Sequence, residues 1–156
     1  MEVGENWSAR KTNNEIFNIR VFNYPEDYPA AINLWKKSSP GVQLGRSDSP
    51  QEIQKKLFRD PDLFLVAEND DQIIGTVIGG FDGRRGMVYH LAVSPDARQS
   101  GIGTALMTEL ERRLQEKGCT RIYLMVTKAN RSAMRFYENR GWTKMENVFT
   151  YAKDVE

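Results

Sequence analysis

The stretch that most limits how this chain can fold runs from Met87 to Leu106. An apolar run, Met87-Val88-Tyr89-His90-Leu91-Ala92-Val93, leads through a turn, Ser94-Pro95-Asp96, into Arg98-Gln99-Ser100-Gly101-Ile102-Gly103-Thr104-Ala105-Leu106. Beyond the glycines, Ile102, Leu106, Leu110 and Leu114 recur at helical spacing. A strand therefore ends, and a helix begins, at Gly101 and Gly103. The first four N–H groups of a helix lack intrahelical partners, and the helix dipole adds positive potential there. Glycine has no Cβ, so a bound group can approach the backbone closely. The junction suits an anion such as a pyrophosphate, with Arg98 as an added cation. The plainer reading makes Gly101 and Gly103 turn glycines and Arg98 a solvated charge.

Two familiar phosphate motifs do not fit. A P-loop needs Gly-Lys-Ser/Thr, and Gly103 is followed by Thr104-Ala105. A dinucleotide fingerprint needs a third small residue where Leu106 stands, and an acid after the next strand; that strand, Arg121-Ile122-Tyr123-Leu124-Met125-Val126-Thr127, ends in Lys128.

Residues 1–14 are polar and aperiodic and read as a loose tail, leaving 15–156 as a single domain. Residues 16–22 alternate as a first strand. Pro25-Glu26-Asp27 opens a helix with Ala31, Leu34 and Trp35 on one face. Residues 38–48 are loop chemistry. Ser49 caps a second helix, with Pro50 first and Glu52 three places after the cap. Residues 63–67 and 73–80 are strands joined by the hairpin turn Asn69-Asp70-Asp71, and 81–86 turns the chain into the central strand. These three form an antiparallel meander. A helix over 101–117, the 121–127 strand, a helix over 130–140 and a last strand follow. Gly118 and Gly141 stand where a helix end needs a left-handed residue. A strand–helix–strand crossover implies parallel pairing. The expected fold is an α/β mixed sheet, an antiparallel meander followed by parallel β-α-β, with helices packed on both faces.

The chain has 156 residues, which suits one domain with a sizeable core. With 22 basic and 21 acidic residues, its net charge of +1 gives no electrostatic case for nucleic acid. No apolar run approaches the ~20 residues of a membrane span, and no apolar segment marks the start as a signal peptide. One cysteine and one histidine exclude an intramolecular disulfide and leave too few soft ligands for a His/Cys zinc site, so no metal is expected. A cytoplasmic enzyme or binding domain is the expectation, as a monomer or a homodimer.

The pattern Arg-x-x-Gly-x-Gly at Arg98, Gly101 and Gly103, after a strand reading Leu91-x-Val93, resembles the acetyl-coenzyme A loop of the GNAT N-acetyltransferase superfamily. A second block makes the resemblance specific. Asn130-Arg131-Ser132-Ala133-Met134-Arg135-Phe136-Tyr137-Glu138-Asn139-Arg140-Gly141-Trp142 is similar to the later GNAT block Asn-x-x-Ala-x-x-Phe-Tyr-x-x-x-Gly-aromatic. The two blocks lie in the family's order with one strand between them.

The resemblance implies direct acetyl transfer from coenzyme A to an amine, without an acyl-enzyme. It places the backbone of Leu91, Ala92 and Val93 near the thioester and the loop N–H groups of Arg98, Gln99, Ser100, Gly101, Ile102, Gly103 and Thr104 on the pyrophosphate. Asn130 is implied to touch the cofactor and Tyr137 to act as general acid beside the sulfur. Asn130 also suits a helix N-cap, and Tyr137 a core aromatic. The attacking amine must lose a proton. His90 either serves as that base or packs as a strand histidine. Cys119 follows a helix C-terminus, whose negative potential disfavours a thiolate, so it is a poor nucleophile.

The RimI-like branch, which this chain resembles in outline, carries a glutamate on the strand before the second block. Here Met125 stands at that place. The base is then His90, a carboxylate such as Glu68 or Asp82, or water. In this fold the acceptor is shaped by 41–48 and by a last hairpin over 143–152, and neither names the amine. The expected function is an acetyl-coenzyme A-dependent N-acetyltransferase acting on a primary amine of a small molecule, protein or peptide. A noncatalytic acyl-coenzyme A sensor or interaction module on the same fold is the alternative.

Overall fold

The hairpin at 69–72 shows how local chemistry lays out the sheet. Asp70 and Asp71 both take positive φ, 48° and 62°, as a two-residue turn matched to the twist of its strands requires. The strands it joins lie at the centre of a six-stranded sheet whose spatial order is the sequence order. These are β1 (Trp7–Thr12), β2 (Glu15–Val21), β3 (Phe64–Asn69), β4 (Gln72–Phe81), β5 (Gly86–Val93) and β6 (Ile122–Leu124). Pairing is antiparallel from β1 to β5 and parallel between β5 and β6. This computed structural model describes residues 7–12, 15–38, 41–98 and 100–155. The chain divides into two compact units, Met1–Met125, which holds the sheet, and Val126–Glu156.

Alternation along β4 sorts the helices onto two faces. Thr76 and Ile78 face α1 (Tyr28–Lys37) and α2 (Pro50–Arg59). There Ala31, Leu34, Trp35 and Ile53 close a core with Phe22, Phe64, Val66, Ile78 and Ala92. Gly75 and Gly79 face the other way, toward α3 (Ile102–Glu116). A Cβ on Gly75 would meet Ile102 Cγ2 at 2.9 Å, and one on Gly79 would meet Leu110 Cδ1 at 2.5 Å. The missing side chains let α3 lie close to the sheet. Leu106, Leu110 and Leu114 are fully buried by it, each contributing about 1.5–3 kcal/mol.

The caps expected from sequence are formed. Ser49 accepts the Glu52 N–H at 3.3 Å with Pro50 at the first helical position. Asn130 accepts the Ala133 N–H at 3.2 Å at the start of α4 (Arg131–Asn139). Both α3 and α4 end in a Schellman motif on a left-handed glycine. Gly118 N–H donates to Gln115 O and Cys119 N–H to Leu114 O; Gly141 N–H donates to Glu138 O and Trp142 N–H to Tyr137 O.

Three expectations change. The loose tail over 1–14 contains β1, paired with β2 from Trp7↔Ile19 to Thr12↔Glu15; residues 1–6, 13 and 14 lie outside the described residues. An edge strand is held by backbone pairing and needs no apolar alternation, so polarity was a poor guide. The strand expected over 121–127 is β6, only Ile122–Leu124. The last strand, with its hairpin over 143–152, is absent: 142–155 carries no helix or strand, because alternation without a ladder partner does not make one. No described helix is long and apolar enough to cross a membrane.

Candidate active site

The parallel pairing of β5 with β6 stops early. Its register is Gly86↔Ile122, Met87↔Tyr123 and Val88↔Leu124, whereas β5 runs on to Val93. From Tyr89 onward, the β6 side of β5 has no strand partner among the described residues. Leu91, Ala92 and Val93 therefore lie where the two strands have parted. A crevice at the carboxyl end of a sheet's strands is where open α/β folds bind ligands.

The same end of β5 delivers the chain to α3. A 3-10 turn, Pro95–Ala97, follows, and the Ser100 hydroxyl donates back to Ala97 O. Arg98 is exposed, with Nε 3.5 Å from Val93 O. Gln99 lies outside the described residues. Gly101 takes φ +84° and is the N-cap of α3, with no side-chain cap. Only the Ala105 N–H reaches back, to Gly101 O. The N–H groups of Ile102, Gly103 and Thr104, at the start of this fifteen-residue helix, thus have no hydrogen-bond partner among the described residues. Ile102 offers its backbone alone, since its side chain is buried. This donor set, beside Arg98, fits a diphosphate.

His90 lies on a β-bulge. Pairing steps from Ile78↔Tyr89 to Thr76↔Ala92, so Val77 opposes both His90 and Leu91. His90 adopts φ +50°, rare for a residue with a Cβ. Its ring packs edge-on against Trp35 with centroids 4.7 Å apart, and its Nε2 lies 2.6 Å from Asp48 Oδ1. Both readings of this histidine thus have a physical basis: it is packed, and it is paired with a carboxylate. Asp48 was not singled out in sequence, because nothing local links it to a residue 42 positions away.

The other base candidates are engaged elsewhere. Glu68 pairs with Arg20 at 3.0 Å. Asp82 lies beyond the opposite end of β5, ~25 Å along the strand from Val93 at ~3.4 Å per residue. Its carboxylate accepts the Arg84 and Arg85 N–H groups at 2.7 and 2.8 Å, which lowers its affinity for a proton. Cys119 is buried and donates to Arg121 O at 3.3 Å.

In the second unit, α4 carries Tyr137. The Schellman motif brings the Trp142 ring to 5.7 Å from the Tyr137 ring, and Phe136 flanks it at 5.2 Å. Burial pushes the Tyr137 phenol up to about 12, against the opposing pull of Arg140. Its hydroxyl is a proton donor that stays neutral at physiological pH.

The Acetyltransferase (GNAT) family matches residues 18–142. An acetyltransferase of Pectobacterium atrosepticum is 43% identical over 120 residues, covering 77% of this chain and 83% of that protein. Among solved structures, Ard1 from Thermoplasma volcanium superposes with a TM-score of 0.72 at 23% identity, covering 81% of this chain and 82% of its own. An aminoglycoside N-acetyltransferase solved in complex with CoA superposes with a TM-score of 0.68 at 20% identity, covering 94% and 98%. At such identities the solved structures speak to fold alone; the family match spans the β5–α3 junction and the whole of α4. The chain belongs to the GNAT acetyltransferase family and is an N-acetyltransferase.

Proposed function

We propose that this chain transfers acetyl directly from acetyl-coenzyme A to a primary amine, on a small molecule or on a protein or peptide, within a ternary complex. The observation that carries this reading is the early parting of β6 from β5 beside the uncapped start of α3. When bound, acetyl-coenzyme A supplies the activated acyl group. The N–H groups from Arg98 to Thr104, with the Arg98 guanidinium, hold its diphosphate. The β6-side edge of Leu91, Ala92 and Val93, which no described strand pairs, offers backbone groups to the thioester, and Asn130 a further polar contact.

His90 accepts the proton of the attacking amine, and Tyr137 supplies one to the departing sulfur. Support for the second role is the raised phenol, which donates without carrying charge beforehand. Support for a direct route is the placement of Cys119, buried and turned to a backbone carbonyl. A panel of small-molecule and peptide amines, assayed for thiol release with acetyl-coenzyme A, tests the proposal. Release that depends on one amine class is expected. A chain that binds acetyl-coenzyme A yet acetylates nothing in either class would defeat it.

A further inference from the structure

The Asp48–His90 pair is built more firmly than a packed strand histidine needs. Asp48 is buried, at 6% exposure. Its Oδ2 accepts the Gly45 N–H at 2.9 Å, and its main-chain carbonyl accepts the Tyr28 hydroxyl at 2.7 Å. The carboxylate is therefore fixed before it meets the imidazole. On the other side, Trp35 Nε1–H donates to Thr76 Oγ1 at 2.9 Å, and the Thr76 hydroxyl donates to His90 O at 3.0 Å. The Trp35 ring also bears on the imidazole itself. Ring and backbone are held from two elements, while the bulge keeps His90 in a left-handed conformation that costs energy. Bulges re-aim side chains beside active sites.

We infer that Asp48 is a positioning residue that fixes His90 in one tautomer and presents Nδ1 as the base toward the acceptor amine; this rests on the acetyl-transfer reading above. A carboxylate oxygen accepts hydrogen bonds, so the neutral imidazole carries its proton on Nε2, leaving the lone pair on Nδ1. Nδ1 has no hydrogen bond among the described residues, and the His90 side chain keeps 18% of its surface exposed. Asp48 ends the segment 41–48 that links α1 to α2. Tyr28, bonded to the Asp48 carbonyl, and Tyr24, whose ring packs on Tyr28, are titratable groups beside the pair. Desolvation raises the Tyr28 phenol, with Tyr24 and Asp48 adding to the effect, so it stays neutral.

In the reaction the proton leaves the acceptor nitrogen for Nδ1, and the freed electron pair forms the amide bond. The C–S bond breaks with its pair on sulfur, which takes a proton from Tyr137. Exchange with solvent returns both side chains to their starting states.

His90 is the chain's only histidine, so the untagged, ¹⁵N-labelled protein gives one imidazole signal pair. Long-range ¹⁵N–¹H NMR of the neutral form is expected to show the proton on Nε2. Asp48→Asn, which can donate as well as accept, is expected to mix or reverse the tautomer. It should lower kcat/KM by about 10²–10⁴-fold with the melting temperature retained. His90→Gln should lose as much, and the double variant no more. Three results would overturn the inference: a wild-type proton on Nδ1, an Asp48→Asn enzyme within about threefold of wild type, or a His90→Gln enzyme of full activity. Wild type inactive on every amine would instead sink acetyl transfer itself, and the base with it. The tautomer would still report whether Asp48 holds the ring.

Discussion

At the residue scale, a phenol held at about 12 is protonated throughout the neutral range. An acid must carry its proton to act, so activity dependent on Tyr137 is lost only as pH rises toward that value. A kcat profile should therefore show no falling limb from this residue below about pH 10, the unperturbed phenol range. Tyr137→Phe keeps the ring against Trp142 and removes the proton. It should lower turnover by about 10²–10⁴-fold while calorimetry finds acetyl-coenzyme A affinity unchanged. Collapsed affinity would show instead that the hydroxyl mainly holds the cofactor.

Among the elements, α3 carries most of the testable physics. Its lower surface fits β4 only because positions 75 and 79 lack a Cβ. Gly79→Val should cost about 1–3 kcal/mol by forcing Leu110 aside. For a domain of this size that is roughly 2–4 °C in Tm per kcal/mol, readable by thermal unfolding. The other end of the helix is the proposed anion site. Acetyl-coenzyme A should raise the melting temperature of wild type, as any ligand of the native state does. Gly103→Glu places a side chain and a negative charge against the diphosphate and should abolish that rise. An undiminished shift in the variant would remove the loop from the site.

For the whole molecule, the consequence is kinetic order. A buried Cys119 engaged with Arg121 O, and a carboxylate–imidazole pair with no serine or cysteine bonded to it among the described residues, favour transfer in one complex over a covalent relay. Double-reciprocal plots should intersect, and Cys119→Ala should keep its activity. Parallel lines together with acetylated Cys119 would contradict this. The thiol belongs to the Schellman end of α3, where its backbone N–H caps Leu114 O and its sulfur lies near Gly86.

What the sequence determined by itself was whatever acts over a few residues. Ser49 and Asn130 as caps, Gly118 and Gly141 as left-handed ends, the Asp70-Asp71 turn and the apolar stripe of α3 each depend on near neighbours. The Gly101-x-Gly103 junction and the α4 block were legible for the same reason. Pairings between distant elements were left to the tertiary structure. Whether polar residues 7–12 become a strand depends on the free edge of β2, and how far β6 follows β5 depends on the register of a crossover. His90 and Asp48, like Trp35 and Thr76, are about forty residues apart and meet only where α1, its following loop and the β5 bulge converge on one face. A hydrogen bond of 2.6 Å needs backbone positions set by packing across that face, and no local pattern encodes such a distance.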